Sequence, residues 1–128
     1  MSRAERIIIQ GSLPGLNEYI AAERGHRQRA ATMKREHQNL VAWQMKPQLR
    51  GVKFERPVII TFAWYERDNR RDPDNISAYG RKVILDALVE LGVLSGDGRK
   101  QIRGFGPERF GTDKAEPRIE ILIEEVEG

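Results

Sequence analysis

Hydrophobic and polar positions alternate along this chain with two periods, and the places where the period changes divide it into elements. Residues 5–11 (ERIIIQG) form a short apolar run closed by glycine, which predicts a strand. SLPGLNEY at 12–19 carries turn chemistry, with Pro14 and Gly15 favouring a bend. Residues 27–46 contain no helix breaker and set Ala30, Met33, Leu40, Val41 and Met45 among charges, so a long amphipathic helix is expected, stopped by Pro47 and Gly51. PVIITFAWYE at 57–66 is rich in β-branched and aromatic residues and is the strongest strand signal in the chain. Over 76–91 the apolar residues Ile76, Tyr79, Val83, Ala87 and Leu91 recur at helical spacing, and Gly92 supplies a C-cap. RKQIRGFG (99–106) reads as a strand, PERFGTDKAEP (107–117) as a loop, and RIEILIEEV (118–126) alternates as a half-exposed strand does. The order β-α-β-α-β-β is that of an α+β fold, two main helices on a small mixed β-sheet. At 128 residues the chain makes a single domain, 1–128, with one modest core.

Composition narrows the class. A hydrophobic share of 39% against a charged share of 32% describes a soluble, highly charged protein. No apolar run approaches the roughly 20 residues that cross a bilayer, so no membrane partner is expected. The N-terminal MSRAERIIIQG has too short an apolar core for a signal peptide. The absence of cysteine excludes disulfides and thiolate metal sites, and the expected location is cytoplasmic.

Lys and Arg total 22 against 19 Asp and Glu, a net charge of +3, but the distribution says more than the sum. Acids collect at the C-terminus (IEILIEEVEG), leaving the rest of the chain more basic. Cations cluster at 24–35 (Arg24, Arg27, Arg29, Lys34, Arg35), at 67–71 (including Arg70 and Arg71) and at 98–103. A phosphate-binding surface needs such clusters, because contacts to a polyanion are summed over several cations. A solvated, charged helix face needs them equally.

Candidate chemistry concentrates in RRDPDN at 70–75, where the central strand gives way to the second main helix. Asp74 suits an N-cap, with Pro73 fixing the turn before it. Asp72 is not explained by capping. In an extended segment, side chains at i and i+2 share a face, and two carboxylates there repel unless a cation sits between them. Oxygen-only ligation suits Mg²⁺ or Mn²⁺ rather than Zn²⁺. Asp97, in LSGDGR, is a third carboxylate. If its flanking strands are neighbours in the sheet, its loop can return toward Asp72 and Asp74, although an aspartate between glycines also marks a plain tight turn. Asp86, mid-helix, reads as structural or as half of a surface pair.

RRDPDN followed by KVILDALVELGVLSGD resembles the RusA family of Holliday junction resolvases, small phage and prophage endonucleases. That family carries an Arg-rich D-x-D-N motif, a helix with an (F/L)DAL segment, and an aspartate after a glycine-led turn. The match is continuous from Arg70 to Asp97, the element order extends it over most of the chain, and LPGLNEY resembles a segment near the start of family members. The resemblance matches Asp72, Asp74 and Asp97 to the catalytic, metal-binding aspartates and Asn75 to the motif asparagine. The family's lysine lies one turn after the asparagine, where this chain has Ala78. Counted back from LDAL, Lys82 falls at the lysine's place, with Arg81 as a second candidate and an exposed helix lysine as the alternative.

The resemblance implies a Mg²⁺-dependent endonuclease, bacterial or phage-encoded, that cuts four-way DNA junctions as a homodimer. In that role the three aspartates would bind one or two ions, and Lys82 or Arg81 would neutralise the scissile phosphate. Arg70, Arg71 and the 24–35 cluster would hold flanking phosphates, with partnering of the nearby aspartates as the structural alternative for Arg70 and Arg71. The basic segment 20–35 is expected to be mobile until DNA orders it. Trp43, Trp64, Tyr79 and Phe105 are expected in the core, with stacking on unpaired bases as the alternative. A nuclease for flaps or forks and a non-catalytic junction-binding module share most of these features.

Overall fold

The computed structural model describes residues 3–13 and 16–126; Pro14 and Gly15, expected to bend the chain, lie outside the described residues. Among these, the chain forms, in order, β1 (Ala4–Gln10), α1 (Leu16–Gly25), α2 (Arg27–Gln48), β2 (Val58–Glu66), α3 (Pro73–Glu90), β3 (Ile102–Phe105), β4 (Arg109–Thr112) and β5 (Arg118–Glu125). The α+β class, the mixed sheet and the two long helices are as the pattern predicts. Two elements are additional. α1 occupies sequence read as turn and mobile segment, so residues 20–35 are helical apart from a break at His26, whose backbone is extended. β4 lies inside the expected loop.

The sheet runs β1-β5-β2-β3, with β4 also pairing with β2. β5 lies antiparallel between β1 and β2, whereas β3 and β4 both run parallel to β2. β3 pairs with residues near Val58 and β4 with Ala63–Glu66, so 102–112 is one edge interrupted at 106–108. Gly106 is required at the interruption. A Cβ there would overlap Thr61 Oγ1, while the Gly106 N–H donates to the Ile60 carbonyl at 3.0 Å.

Burial alternates residue by residue along β1, β2 and β5, which gives the sheet one buried face. Ile7 and Ile9, then Val58, Ile60, Phe62 and Trp64, then Ile119, Ile121 and Ile123 all point toward the helices. α2 and α3 cover that face with Val41, Met45, Val83, Ile84 and Leu88. Truncating any one of these to alanine would cost about 2–5 kcal/mol, because the close-packed layer relaxes only in part. α2 runs one residue past Pro47 before Leu49 caps it, with Gly51 in the left-handed region beyond. Gly92 does end α3: its N–H bonds the Val89 carbonyl, and Val93 N–H bonds Leu88, the paired contacts of a Schellman motif.

The free edge of β1 is closed in an unusual way. Gln48 bonds the Ile8 N–H (2.9 Å) and carbonyl (2.8 Å), and Gln44 bonds those of Gln10 (2.8 and 3.3 Å). Two side-chain amides one helical turn apart thus imitate a neighbouring strand and fix α2 to the sheet margin.

Candidate active site

Proline fixes the start of α3. Pro73 takes the first helical position, where its missing N–H is no loss, and this makes Asp72 the N-cap residue rather than Asp74. Asp72 is extended (φ −74°, ψ 153°) and makes no side-chain cap bond. Asp74 already lies in the first helical turn, so the i, i+2 argument for a shared face applies only up to Pro73. Both carboxylates are exposed, Asn75 is half-buried beside them, and neither aspartate forms an ion pair with a described residue. A carboxylate in the first turn is favoured by the helix dipole.

The two arginines of the motif divide. Arg71 is largely buried and grips the buried Glu66: its Nε donates to Glu66 Oε1 at 2.8 Å and its terminal nitrogen to the same oxygen, with a further bond to the Leu13 carbonyl at 2.9 Å. It pins the end of β2 to the strand-to-helix turn and to the segment after β1. Arg70, with its side chain 84% exposed, has only a loose 3.7 Å contact to Asp68. Glu66, Asp68, Arg70, Arg71 and His37 line a cleft of about 560 Å³ beside this turn. His37 Nδ1 lies 2.6 Å from the Met33 carbonyl. Since a carbonyl only accepts, Nδ1 is the donor in this bond.

Asp97 and Lys82 do meet. Lys82 Nζ stands 3.2 Å from Asp97 and 3.2 Å from Asp86, and Asp86 in turn pairs with Lys34 at 3.5 Å. The hydrogen bond from Lys82 to Asp97, followed by that to Asp86, raises the Lys82 pKa above its ordinary value. Sheet direction explains where Asp97 falls. β3 is next to β2, as required, but parallel to it, so the loop emerges at the Val58 end while Asp72 follows the Glu66 end. Asp97 therefore reaches α3 midway, at Lys82, eight residues or about 12 Å along the helix from Asp74. Among the described residues no three His, Asp or Glu side chains are gathered as a metal-ligating group. The oxygen donors suit a hard cation in type, but as placed the three aspartates do not form one ligand set.

Arg81 serves a different cluster. Its guanidinium pairs with Glu108 and lies 4.3 Å over the Phe105 ring and 5.7 Å from that of Phe62. Glu108 also accepts the Trp64 indole N–H at 2.6 Å. The interruption of the sheet edge at 106–108 aims Glu108 at these two partners, as bulges commonly do. Arg24, Arg27, Arg29 and Arg35 are exposed on the end of α1 and the first turns of α2 and form no ion pair with described residues, while Lys34 is held by Asp86. Trp64 and Tyr79 are buried as expected, but Trp43 is 76% exposed and Phe105 41%. Glu108 was not legible as a partner, since its contacts join residues far apart in sequence, whereas Glu66 pairs only five residues away with Arg71 and was missed because it sits inside the strand signal. No helix among the described residues is long and apolar enough to cross a membrane. No family model and no curated protein matches the chain.

Proposed function

We propose that this chain is a Mg²⁺-dependent endonuclease that nicks branched DNA, four-way junctions first, in keeping with its resemblance to the RusA family. One observation carries the reading: the 3.2 Å contact between Lys82 and Asp97. It joins the displaced lysine of the motif to the motif's third carboxylate, across 15 residues of sequence. The helix that holds Lys82 begins at Asp72 and Asp74. Asp72 and Asp74, at the start of α3, would hold the metal, with Asp97 joining them only on a movement of its loop toward that end, and the ion would supply an activated water and charge relief at the phosphate. The chain's own residues bind and orient. Exposed Arg70 and the cations of 24–35 contact flanking phosphates without reading sequence. Lys82, freed from Asp97, offsets charge on the scissile phosphate. Arg71 and Arg81, each committed to a glutamate, position the turn before α3 and the 106–108 segment rather than touching DNA. Paired nicks in a two-fold symmetric junction call for a homodimer.

A second reading has support from the same ion pair. With Asp97 engaged by Lys82 rather than grouped with Asp72 and Asp74, the chain would bind a junction without cutting it.

Incubation with Mg²⁺ and either a mobile four-way junction or a matched linear duplex separates the two. Paired nicks on the junction alone, abolished in Asp72→Asn and Asp97→Asn, are the expected result. Junction binding with no nicks at any Mg²⁺ concentration selects the binding module. Equal cutting of both substrates, or full activity in Asp72→Asn, rejects the nuclease assignment to these residues.

A further inference from the structure

We propose that the Trp43 face of α2 is a docking site for an unpaired nucleobase and its adjoining phosphates. The inference rests on the nucleic-acid reading above and adds a subsite remote from the aspartates. Trp43 holds its indole 76% exposed, beside Leu40 at 58% and Ile8 at 37%. So much apolar surface in one place marks a binding face. The seat is rigid, because Gln44 and Gln48, one and five residues after Trp43 on α2, are bonded to the backbone of β1.

Charge selects the occupant. A cleft of about 650 Å³ opens here between Ile8, Trp43, Pro47, Lys46 and Arg50, and no carboxylate lines it. Lys46 follows Trp43 by about one helical turn on the same face of α2, and Arg50, just past the Leu49 cap, lines the same cleft. The nearest acid on that face, Glu36, lies two turns the other way, roughly 10 Å off. A flat aromatic surface flanked by two cations suits a base and its phosphates, and the cleft has the size of a small-ligand site. A second copy of the chain suits it poorly. A two-fold contact centred here would oppose Lys46 and Arg50 to their own counterparts, and the glutamine amides already occupy the β1 edge that an added strand would use.

The two tryptophans make the test direct, since Trp64 is 2% exposed and only Trp43 is open to a quencher. A short oligodeoxythymidylate titrated at low salt should quench tryptophan emission, and a blunt duplex of equal length should not. Trp43→Ala should abolish the quenching and weaken binding of a fluorescein-labelled oligonucleotide about 5- to 150-fold, the value of one stacked base. Trp43→Phe should restore part of the loss. Lys46→Gln with Arg50→Gln should lower the slope of log affinity against log salt by about 1.4, two single-strand phosphate contacts. Equal quenching by duplex and single strand, or unchanged affinity in Trp43→Ala, overturns the proposal. So does a blue shift of emission with protein concentration accompanied by a sedimenting dimer that Trp43→Ala dissolves, which would make the face a self-association surface. Mg²⁺-dependent nicking is read separately: its loss with quenching intact rejects the nuclease alone, and the reverse result rejects the Trp43 site alone.

Discussion

Gly80→Ala should destabilise the fold although it places a better helix former in the middle of α3. Alanine in a helix interior is favoured over glycine by about 1 kcal/mol. Here, however, the added Cβ would stand 2.7 Å from Cη2 and Cζ3 of Trp64, against a comfortable carbon separation of about 3.5–4.0 Å. The indole cannot swing aside cheaply. It is 2% exposed, stacked on Phe62 at 5.3 Å between centroids, and held through its N–H by Glu108 at 2.6 Å. Overpacking of this kind costs about 1–3 kcal/mol, and a rigid neighbour puts Gly80 at the upper end. Set against the propensity gain, the net loss is about 2 kcal/mol. At about 2.1 cal/mol/K per residue, a chain of 128 residues has an unfolding entropy that turns this into a fall of about 7 °C in Tm. Urea and thermal unfolding of Gly80→Ala measure it, with Gly25→Ala, which meets nothing within 4 Å, as a neutral or slightly stabilising control. Trp64→Leu in the same chain should relieve the clash, so the double mutant should be more stable than the sum of the singles requires. A Gly80→Ala protein as stable as the parent would refute the account of why glycine stands there.

Glu108→Ala should cost about 2–3 kcal/mol in urea unfolding, because it leaves the buried Trp64 N–H and the Arg81 guanidinium without their shared partner, whereas Glu108→Gln should cost less by retaining an acceptor. Gln48→Ala should lower stability by about 1 kcal/mol and raise the rate of thioflavin-positive aggregation, since it reopens the Ile8 backbone on the β1 edge. Asp113 is held below its ordinary pKa by the Glu116 backbone N–H and by Arg118. Its stabilisation is therefore present above the unfolded value near 3.8 and is lost as pH falls through the lower folded value. The Tm gap between parent and Asp113→Asn should accordingly be full at pH 5 and shrink below pH 3.8, and a gap that widens there would contradict the assignment.

Elements with an uninterrupted period were legible, and elements that depend on a partner were not. β2 is a run of β-branched and aromatic residues, β5 alternates apolar and charged positions apart from Leu122, and the apolar residues of α3 recur every three or four positions. β4 has no such pattern. RFGT is framed by Pro107, Glu108 and Asp113, and it becomes a strand because β2 outruns β3 and offers an open edge from Ala63 to Glu66. α1 was masked by the turn residues just before it. The exposure of Trp43 was in the sequence all the same. Ala30, Val41 and Met45 lie within about 60° of one another on a helical wheel, and Trp43, two residues after Val41, faces the far side. An expectation based on residue type, that tryptophan is core, overrode a periodicity that said otherwise.

The sequence supplies the candidate site as a set of residues but not as an arrangement, and burial sorts the arrangement into fixed and exchangeable parts. Arg71 and Glu66 have side chains only 20% and 11% exposed, and removing either partner would strand a charge in the interior. That pair belongs to the fold. Lys82 and Asp97 are 54% and 40% exposed, and a pair so open to water is worth about 0–1 kcal/mol. A divalent cation or a phosphate brought alongside competes against that small term, not against the several kcal/mol that guard a buried pair. The Lys82–Asp97 contact is thus one that the fold does not depend on. In the proposed nuclease, ligand exchange at Asp97 is the step by which Lys82 becomes available to DNA. Asp97→Asn in metal-free solution should therefore bind a junction more tightly than the parent, because it removes one of the two carboxylates that hold Lys82, leaving Asp86, without supplying a metal site. Weaker metal-free binding by Asp97→Asn would mean that Lys82 does not face the phosphates.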